Sequence, residues 1–580
     1  MSWNPSSKDR YAPGGMAKDG TYVFHWNLTD PKLTDPIKLI IPPDHVLPVI
    51  LIPGIMGSNL RNNKDKSKVW RLDNPPSLLN HWFLRNQPAG LAGKMALSMN
   101  AGKRQKEMHP ARTEVDNRGA IPSKRVGSVF DAKTYRERGW GEVGEGSYHE
   151  FLLWLEEALN GQGFNPAKWK EFYYTAFSAM PKPGERHPEP QLMPGIAMQM
   201  RGLPPIGESG VATLSSDDLL KRARFRMPVY ACGYNWLDSN LVAASRLRTR
   251  IEQIIKENGP KCEQVVLVTH SMGGLVARAC QKLAGMDKKI AGIVHGVMPT
   301  VGAAVAYRRC KVGMGDEDAI AGLVIGSTGQ EVTAVFAQAP GALQLLPTQQ
   351  YRPGWLTLAG PDGKSLGKHP VGDLYDDIYL RHDRWWGLVR EEWLRPSGGV
   401  PITWADYAPN IKAARTFHDG IRDTYHPMTY VFYGKDAKQK SFEGIHWRIK
   451  KGNAPDKGAP PSPSDVSNMD MSAVRDKGSN PIYVGGRSTT LTNPTPYGFA
   501  TYQTYETSYW ELYVEKQDGG GDGTVPTSSG AFPRQHGGSA IRQQFGLEGF
   551  AHEGCYREKG PRIVTLYALQ KIAAQAVFKA

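Results

Sequence analysis

Val265-Val-Leu-Val-Thr-His-Ser-Met-Gly-Gly274 decides the fold. Five residues of mostly β-branched apolar character stop abruptly at a serine and two glycines, and Leu275–Leu283 then continues with helical spacing. A short apolar run ended by Gly is a buried strand of a parallel sheet, and strand, sharp turn, helix is one βα unit. Working outward, Leu47-Pro-Val-Ile-Leu-Ile52 followed by Pro53-Gly-Ile-Met-Gly-Ser58 predicts another such strand with a glycine-rich loop at its end. Pro228–Cys232, Ile290–Gly296, Thr429–Gly434 and Trp510–Val514 read as further strands. Tyr148–Leu159, Asn240–Asn258 and 561–579 read as helices. Strands alternating with helices predict an α/β fold with a mainly parallel sheet.

The chain has 580 residues, 40% of them hydrophobic and 22% charged, which excludes wholesale disorder and coiled coil. Long tracts lie outside a minimal core, and long insertions between core strands are usually caps or lids over a site. The division expected is an N-terminal extension (1–46), a core (47–60, 228–349, 429–450 and 482–580), a first cap insertion (61–227) and a second, tryptophan-rich one (350–428). A flexible Pro/Gly/Ser loop is expected over 451–481. The tract with Trp355, Trp385, Trp386, Trp393 and Trp404, or the apolar stretch with Ile320, Leu323, Val324 and Ile325, is a candidate lid; a buried helix explains the apolar stretch equally well.

Seventy-one Lys and Arg against 56 Asp and Glu leave a formal charge of +15, which suits an acidic partner: nucleic acid, an anionic membrane or an acidic protein. No clustered basic motif with interleaved aromatics is present, so nucleic acid is set aside. Lys103, Arg104, Lys106, Lys124, Arg125 and the stretch from Lys221 to Arg226 are the candidate basic surface. Five cysteines without CxxC spacing make neither a disulfide framework nor a zinc ribbon. The opening MSWNPSSKDRYAPGG has no apolar h-region, and no run of about 20 apolar residues occurs, so synthesis in a cytoplasm without a signal peptide is expected.

Ser271 sits where a strand-to-helix turn would lift its hydroxyl above the sheet's C-terminal edge, beside a helix N-terminus that can stabilise an oxyanion. The usual pattern is G-x-S-x-G; Thr269 replaces the first glycine and adds bulk, which asks for a slightly more open turn. A nucleophilic serine needs a base and an orienting carboxylate, in hydrolases of this type in the order Ser, Asp/Glu, His. Gly521-Asp-Gly-Thr-Val-Pro526 offers Asp522 and Gly549-Phe-Ala-His-Glu-Gly554 offers His552, both in that order. Asp436 is the rival acid and Asp518 a substitute; Asp522 ranks ahead because of its tighter glycine setting. His270 is read as packing or a supporting hydrogen bond, and His295 as structural. Oxyanion donors are expected from the backbone of Met272 and of Ile55 or Met56.

Together VILIPGIMGSNL, Val229–Trp236, THSMGGLVAR, Gly341–Pro347, TYVFYG, GDGTVP and the AHEG loop resemble the lecithin:cholesterol acyltransferase-like lipases. The resemblance implies an α/β-hydrolase fold, a triad of Ser271, Asp522 and His552, and ester substrates, usually lipids. Asn235 departs from that pattern at a structural position where the family often has aspartate. More narrowly, the chain resembles the antibacterial phospholipase effectors of type VI secretion. That resemblance implies a phospholipid membrane as substrate, delivery by a contractile apparatus into the target-cell periplasm, and a cognate immunity protein. No metal or organic cofactor is expected; calcium is left open, with Asp373, Asp376 and Asp377 as acids not spaced like an EF-hand loop. Other readings are acyl transfer to an alcohol, hydrolysis of a soluble ester by the same triad, or an inactive scaffold used for binding.

Overall fold

The computed structural model describes residues 45–71, 100–122, 130–160, 224–315, 325–450 and 511–578, with short backbone strands and single positions elsewhere. Lys124, Arg125, Ile320, Leu323 and Val324, and most of 1–46 and 451–481, lie outside the described residues.

Six strands form the central sheet: β1 (Val49–Ile52), β2 (Val229–Ala231), β3 (Val265–His270), β4 (Ile290–Gly296), β5 (Thr429–Gly434) and β6 (Ile541–Leu547). Their order is β2-β1-β3-β4-β5-β6 and every pairing is parallel. Both faces are covered, which is why the strands are continuous apolar runs rather than alternating ones. The two-residue period still sorts them: Ile50 and Ile52 face one core, Val49 and Leu51 the other.

On the first face pack helices α2 (Asn240–Glu257) and α3 (Gly273–Cys280). Ser239 caps α2, its side chain accepting the Leu241 N–H, and Leu247, Ile251 and Ile254 form its buried stripe. Burying each such side chain contributes about 1.5–3 kcal/mol. On the opposite face lie α1 (Glu145–Asn160) and α4 (Lys559–Gln575), bringing Phe151, Leu152 and Leu155 against the same apolar layer as Val564, Leu569 and Ile572. Thus α1, inside the tract expected as a cap, is a helix of the core.

One strand expected in the core, Trp510–Val514, belongs elsewhere. Ile445–Lys451 and Trp510–Val514 sit side by side in a second, mixed sheet, joined to Leu356–Ala359 and Ser365–His369. The edge of the central sheet is taken by β6 instead. In the tryptophan-rich tract the indoles of Trp355, Trp385, Trp386 and Trp393 are buried packing, and Trp404 is half-buried. Trp447 packs edge-on against Trp385 with ring centroids 5.7 Å apart. Ile325, at the end of the other candidate lid, is also buried. Among the described residues no helix is long and apolar enough to cross a membrane. All five cysteines are free and buried.

Candidate active site

Strand β3 carries the chain to the sheet's C-terminal edge, and Ser271 turns it at φ 52°, a left-handed conformation that a non-glycine residue adopts only under constraint. The constraint is visible on both sides. The Ser271 N–H donates to the Gly296 carbonyl of the neighbouring strand at 2.9 Å, and the Gly274 N–H donates to the Ser271 carbonyl at 2.9 Å. The glycines that follow are needed where α3 approaches β1: a β-carbon on Gly273 would lie 2.5 Å from the Ile52 carbonyl oxygen and 2.6 Å from that of Pro53.

Thr269 needs no wider turn. Its side chain points away from that contact, toward β4, where its Oγ1 lies 3.0 Å from His295 Nδ1. Its carbonyl accepts the Tyr556 hydroxyl at 2.8 Å. Burial pushes the His295 imidazole down to about 3, so it stays neutral, a structural partner of Thr269.

Ser271, His552 and Asp522 come together although 281 residues of sequence separate the first two. His552 Nε2 is 2.9 Å from Ser271 Oγ, and His552 Nδ1 is 2.8 Å from Asp522 Oδ2. A carboxylate only accepts, so Nδ1 carries the proton and Nε2 is the acceptor for the serine hydroxyl. The other carboxylate oxygen, Oδ1, accepts the N–H groups of Thr524 (3.0 Å) and Val525 (2.7 Å). Asp522 is almost wholly buried and Ser271 is 4% exposed, whereas the His552 edge is part-buried and open to solvent. The main chain of the histidine is held as well, its N–H donating to the Asp522 carbonyl at 2.7 Å.

The rival acids do other work. Asp436 does not reach His552: its Oδ1 accepts the Lys438 N–H at 2.7 Å and its Oδ2 the Gly549 N–H at 3.0 Å, which pins the start of the histidine loop. Those amides hold its carboxyl below the usual range. Asp518 lies 2.9 Å from His446 Nε2 and accepts the Glu443 and Gly444 amides.

The loop after β1 abuts the serine turn so closely that a β-carbon on Gly54 would lie 3.0 Å from both His270 Nδ1 and Ser271 Cβ. Three aromatic side chains fix it. Tyr148 accepts the Gly54 N–H at 3.0 Å, Tyr234 donates to the Pro53 carbonyl at 2.9 Å, and Trp70 Nε1 donates to the Met56 carbonyl at 2.6 Å. Met56 is held at φ 62°. The N–H groups of Ile55, Met56 and Met272 have no hydrogen-bond partner among the described residues. Met272 also stands at the N-terminus of α3, where the helix dipole favours negative charge. Main-chain donors left free next to a buried serine are what a developing oxyanion requires.

Three residues of this surround were not legible as site residues: Tyr148, Gly434 and Ser441. Ser441 Oγ donates to the Val525 carbonyl at 3.2 Å and accepts the Gly523 N–H at 3.1 Å, bracing the aspartate turn. Asn235 is structural, its Nδ2 donating to the Pro110 and Thr113 carbonyls. Two of the acids considered for calcium are engaged, Asp373 with Arg415 at 2.7 Å and Asp377 with His369 and the Val371 N–H, and Asp376 is exposed. No cluster of three or more His, Cys, Asp or Glu placed to hold a metal occurs among the described residues.

The architecture and the serine turn are matched in known proteins. The model of the PGAP1-like alpha/beta domain matches residues 239–312, the segment that runs from α2 through the serine turn and β4. The solved Tle4–Tli4 complex contains a chain 27% identical to this one, covering 92% of this chain and 99% of that one with a TM-score of 0.65. The chain has the α/β-hydrolase fold. A phospholipase, PlaB from Legionella pneumophila, aligns at 10% identity over 53% of this chain and 74% of its own, but its TM-score of 0.15 carries no argument. No curated protein matches the sequence.

Proposed function

We propose that this chain is a serine esterase of the phospholipase A type, hydrolysing acyl esters of membrane glycerophospholipids as an antibacterial toxin. The observation that carries the reading is the unbroken relay Ser271 Oγ, His552 Nε2, His552 Nδ1, Asp522 Oδ2, with successive gaps of 2.9 and 2.8 Å, beside unoccupied main-chain donors.

Ser271 Oγ attacks the acyl carbonyl while His552 Nε2 takes its proton. The carbonyl oxygen becomes an oxyanion, held by the N–H of Met272 and that of Ile55 or Met56; losing one such donor costs about 3–4 kcal/mol. Collapse expels the glycerol oxygen, which takes the proton from His552 and leaves an acyl group on Ser271. Water, giving a proton to His552, then releases the fatty acid and restores the serine. Asp522 keeps the imidazole in the working tautomer and stabilises its cation. These steps draw on side chains and amides alone.

The lipid choice is supported by the net charge of +15, since each Lys or Arg near an anionic bilayer contributes about 1 kcal/mol. Lys103 and Lys106 are exposed, but Arg104 is buried beside Glu331 and does not belong to that surface. Likeness over nearly the full length to a chain solved in a complex supports restraint by a cognate immunity protein, and delivery by a secretion apparatus belongs to the same proposal.

The test is product analysis by mass spectrometry after incubation with mixed phospholipid vesicles. Lysophospholipid and free fatty acid are expected from the native protein and not from Ser271→Ala. Equal product from both would remove Ser271 from the reading, and activity confined to short soluble esters would remove the membrane.

A further inference from the structure

The tyrosine that accepts the Gly54 N–H has a second contact. Tyr148 Oη lies 2.8 Å from His270 Nδ1, and His270 Nε2 lies 2.9 Å from the main-chain carbonyl oxygen of His552. Every proton in this chain can be assigned. A carbonyl only accepts, so Nε2 of His270 carries its hydrogen. Burial first, then the neighbouring His552, pushes the His270 imidazole down to about 3, so Nδ1 is bare and accepts from Tyr148. Tyr148, whose hydroxyl burial holds protonated, is left with a lone pair for the Gly54 N–H. The sequence is Gly54 N–H to Tyr148 Oη, Tyr148 O–H to His270 Nδ1, His270 Nε2–H to His552 carbonyl.

From this chain we propose that Tyr148 and His270 are positioning residues, which lock the oxyanion loop and the general base to one another on either side of Ser271. The proposal rests on the esterase reading of Ser271 and His552. With its N–H on the Asp522 carbonyl and its own carbonyl on His270, the His552 main chain is held on both sides, and the backbone that carries the imidazole cannot shift without breaking one of these bonds. Tyr148 is placed to do this by its helix. Along α1, Ser147 Oγ donates to Glu553 at 3.1 Å, the Gly146 carbonyl accepts from Arg557, and Phe151 stacks on Tyr556 with centroids 4.2 Å apart. The helix therefore clamps residues 553–557 while its tyrosine reaches past them to His270.

Three variants test it: Tyr148→Phe, His270→Asn and His270→Gln. Phenylalanine keeps the ring and loses both hydrogen bonds. A glutamine amide can reach the place of Nε2 and donate to His552; an asparagine amide is too short. The rate at which an alkyl fluorophosphonate modifies Ser271 is measured with kcat and KM on a soluble acyl ester, and circular dichroism melting checks the fold. Displacing a base by a fraction of an ångström to one ångström slows reaction about 10- to 100-fold. That loss is expected in phosphonylation and kcat for Tyr148→Phe and His270→Asn, with KM unchanged, while His270→Gln, which keeps the bond to His552 but not the one from Tyr148, loses less than His270→Asn. Native rates in Tyr148→Phe and His270→Asn, or equal losses in the asparagine and glutamine variants, overturn the proposal alone. The His270 pair carries the test if Tyr148→Phe does not fold. A native protein that never reacts overturns the esterase reading and this proposal with it.

Discussion

Gly434, the last residue of β5, and Asp522 are packed so closely that a β-carbon on Gly434 would lie 2.7 Å from Asp522 Cβ. The acid is thus seated over the end of β5 although it arrives 88 residues later, carried there by the short strand Gly519–Gly521 pairing with Asp436–Ser441. Gly434→Ala should push Asp522 off this seat and, through it, His552. Turnover on a soluble ester is expected to fall about 10- to 100-fold with little change in KM, the cost of a misplaced base. Native turnover in this variant would mean that the aspartate turn adjusts freely.

Replacing the two carboxylates separates an orienting role from a bracing one. Asp522→Asn leaves shape intact but offers an amide to His552 Nδ1, favouring the wrong tautomer, and kcat should drop about 10,000-fold. Asp436→Asn keeps one acceptor for the Lys438 and Gly549 amides, so its effect should be a loss on the order of 1 kcal/mol in stability. Paired kinetics and urea unfolding read the two effects. A larger kinetic loss at Asp436 would reverse the assignment.

Restoring the familiar glycine should harm the protein. Thr269→Gly takes away the hydroxyl beside His295 Nδ1, and His295 Nε2 already has no partner among the described residues. A buried imidazole left without hydrogen bonds costs about 1–3 kcal/mol. Lower stability in urea with no gain in kcat is expected; unchanged stability would show that water or a shifted side chain replaces the threonine.

Acid should loosen one corner of the site. Asp116, buried against Arg118, Arg71 and Arg61, supports the small sheet that carries Trp70 to the oxyanion loop. Burial works to raise its pKa, but the hydrogen bonds from Arg118 and Arg71 outweigh it and hold it at about 2. A carboxyl depressed in the folded state contributes stability that is whole above its unfolded value near 4 and is lost as pH falls through the folded one. The gap in unfolding midpoint between the native protein and Asp116→Asn should therefore be constant from pH 7 to about 5 and narrow from about pH 4 toward 2. A gap that stays constant to pH 3 and below would contradict this.

What the residues disclosed, and what they withheld, has a physical pattern. Four apolar runs cut off by Gly, Pro or the serine turn are strands of the central sheet, because a strand buried on both faces has no polar positions to blur it. β6 escaped notice because Gln543 and Gln544 interrupt its apolar character; Gln544 is buried by bonding to the helix Thr527–His536 through the Arg534 N–H and the Ala531 carbonyl. Trp510–Val514 has the right pattern for a strand, but a period says nothing of which sheet a strand joins. Ser271, Asp522 and His552 stood out through order and turn chemistry. Tyr148 did not: helical spacing tells that it faces inward, not that its hydroxyl meets an imidazole 122 residues away.

Ser271 carries the acyl group in this mechanism, and the location of a covalent adduct decides whether it does. After exposure to a fluorophosphonate, the protein is digested with trypsin and the peptide Cys262–Arg278, which contains Ser271, is weighed and fragmented. One phosphonyl group on Ser271, loss of phospholipid hydrolysis in proportion to labelling, and no adduct in His552→Ala are expected. Labelling elsewhere with Ser271 unmodified, or full hydrolysis by the fully labelled protein, would contradict this mechanism.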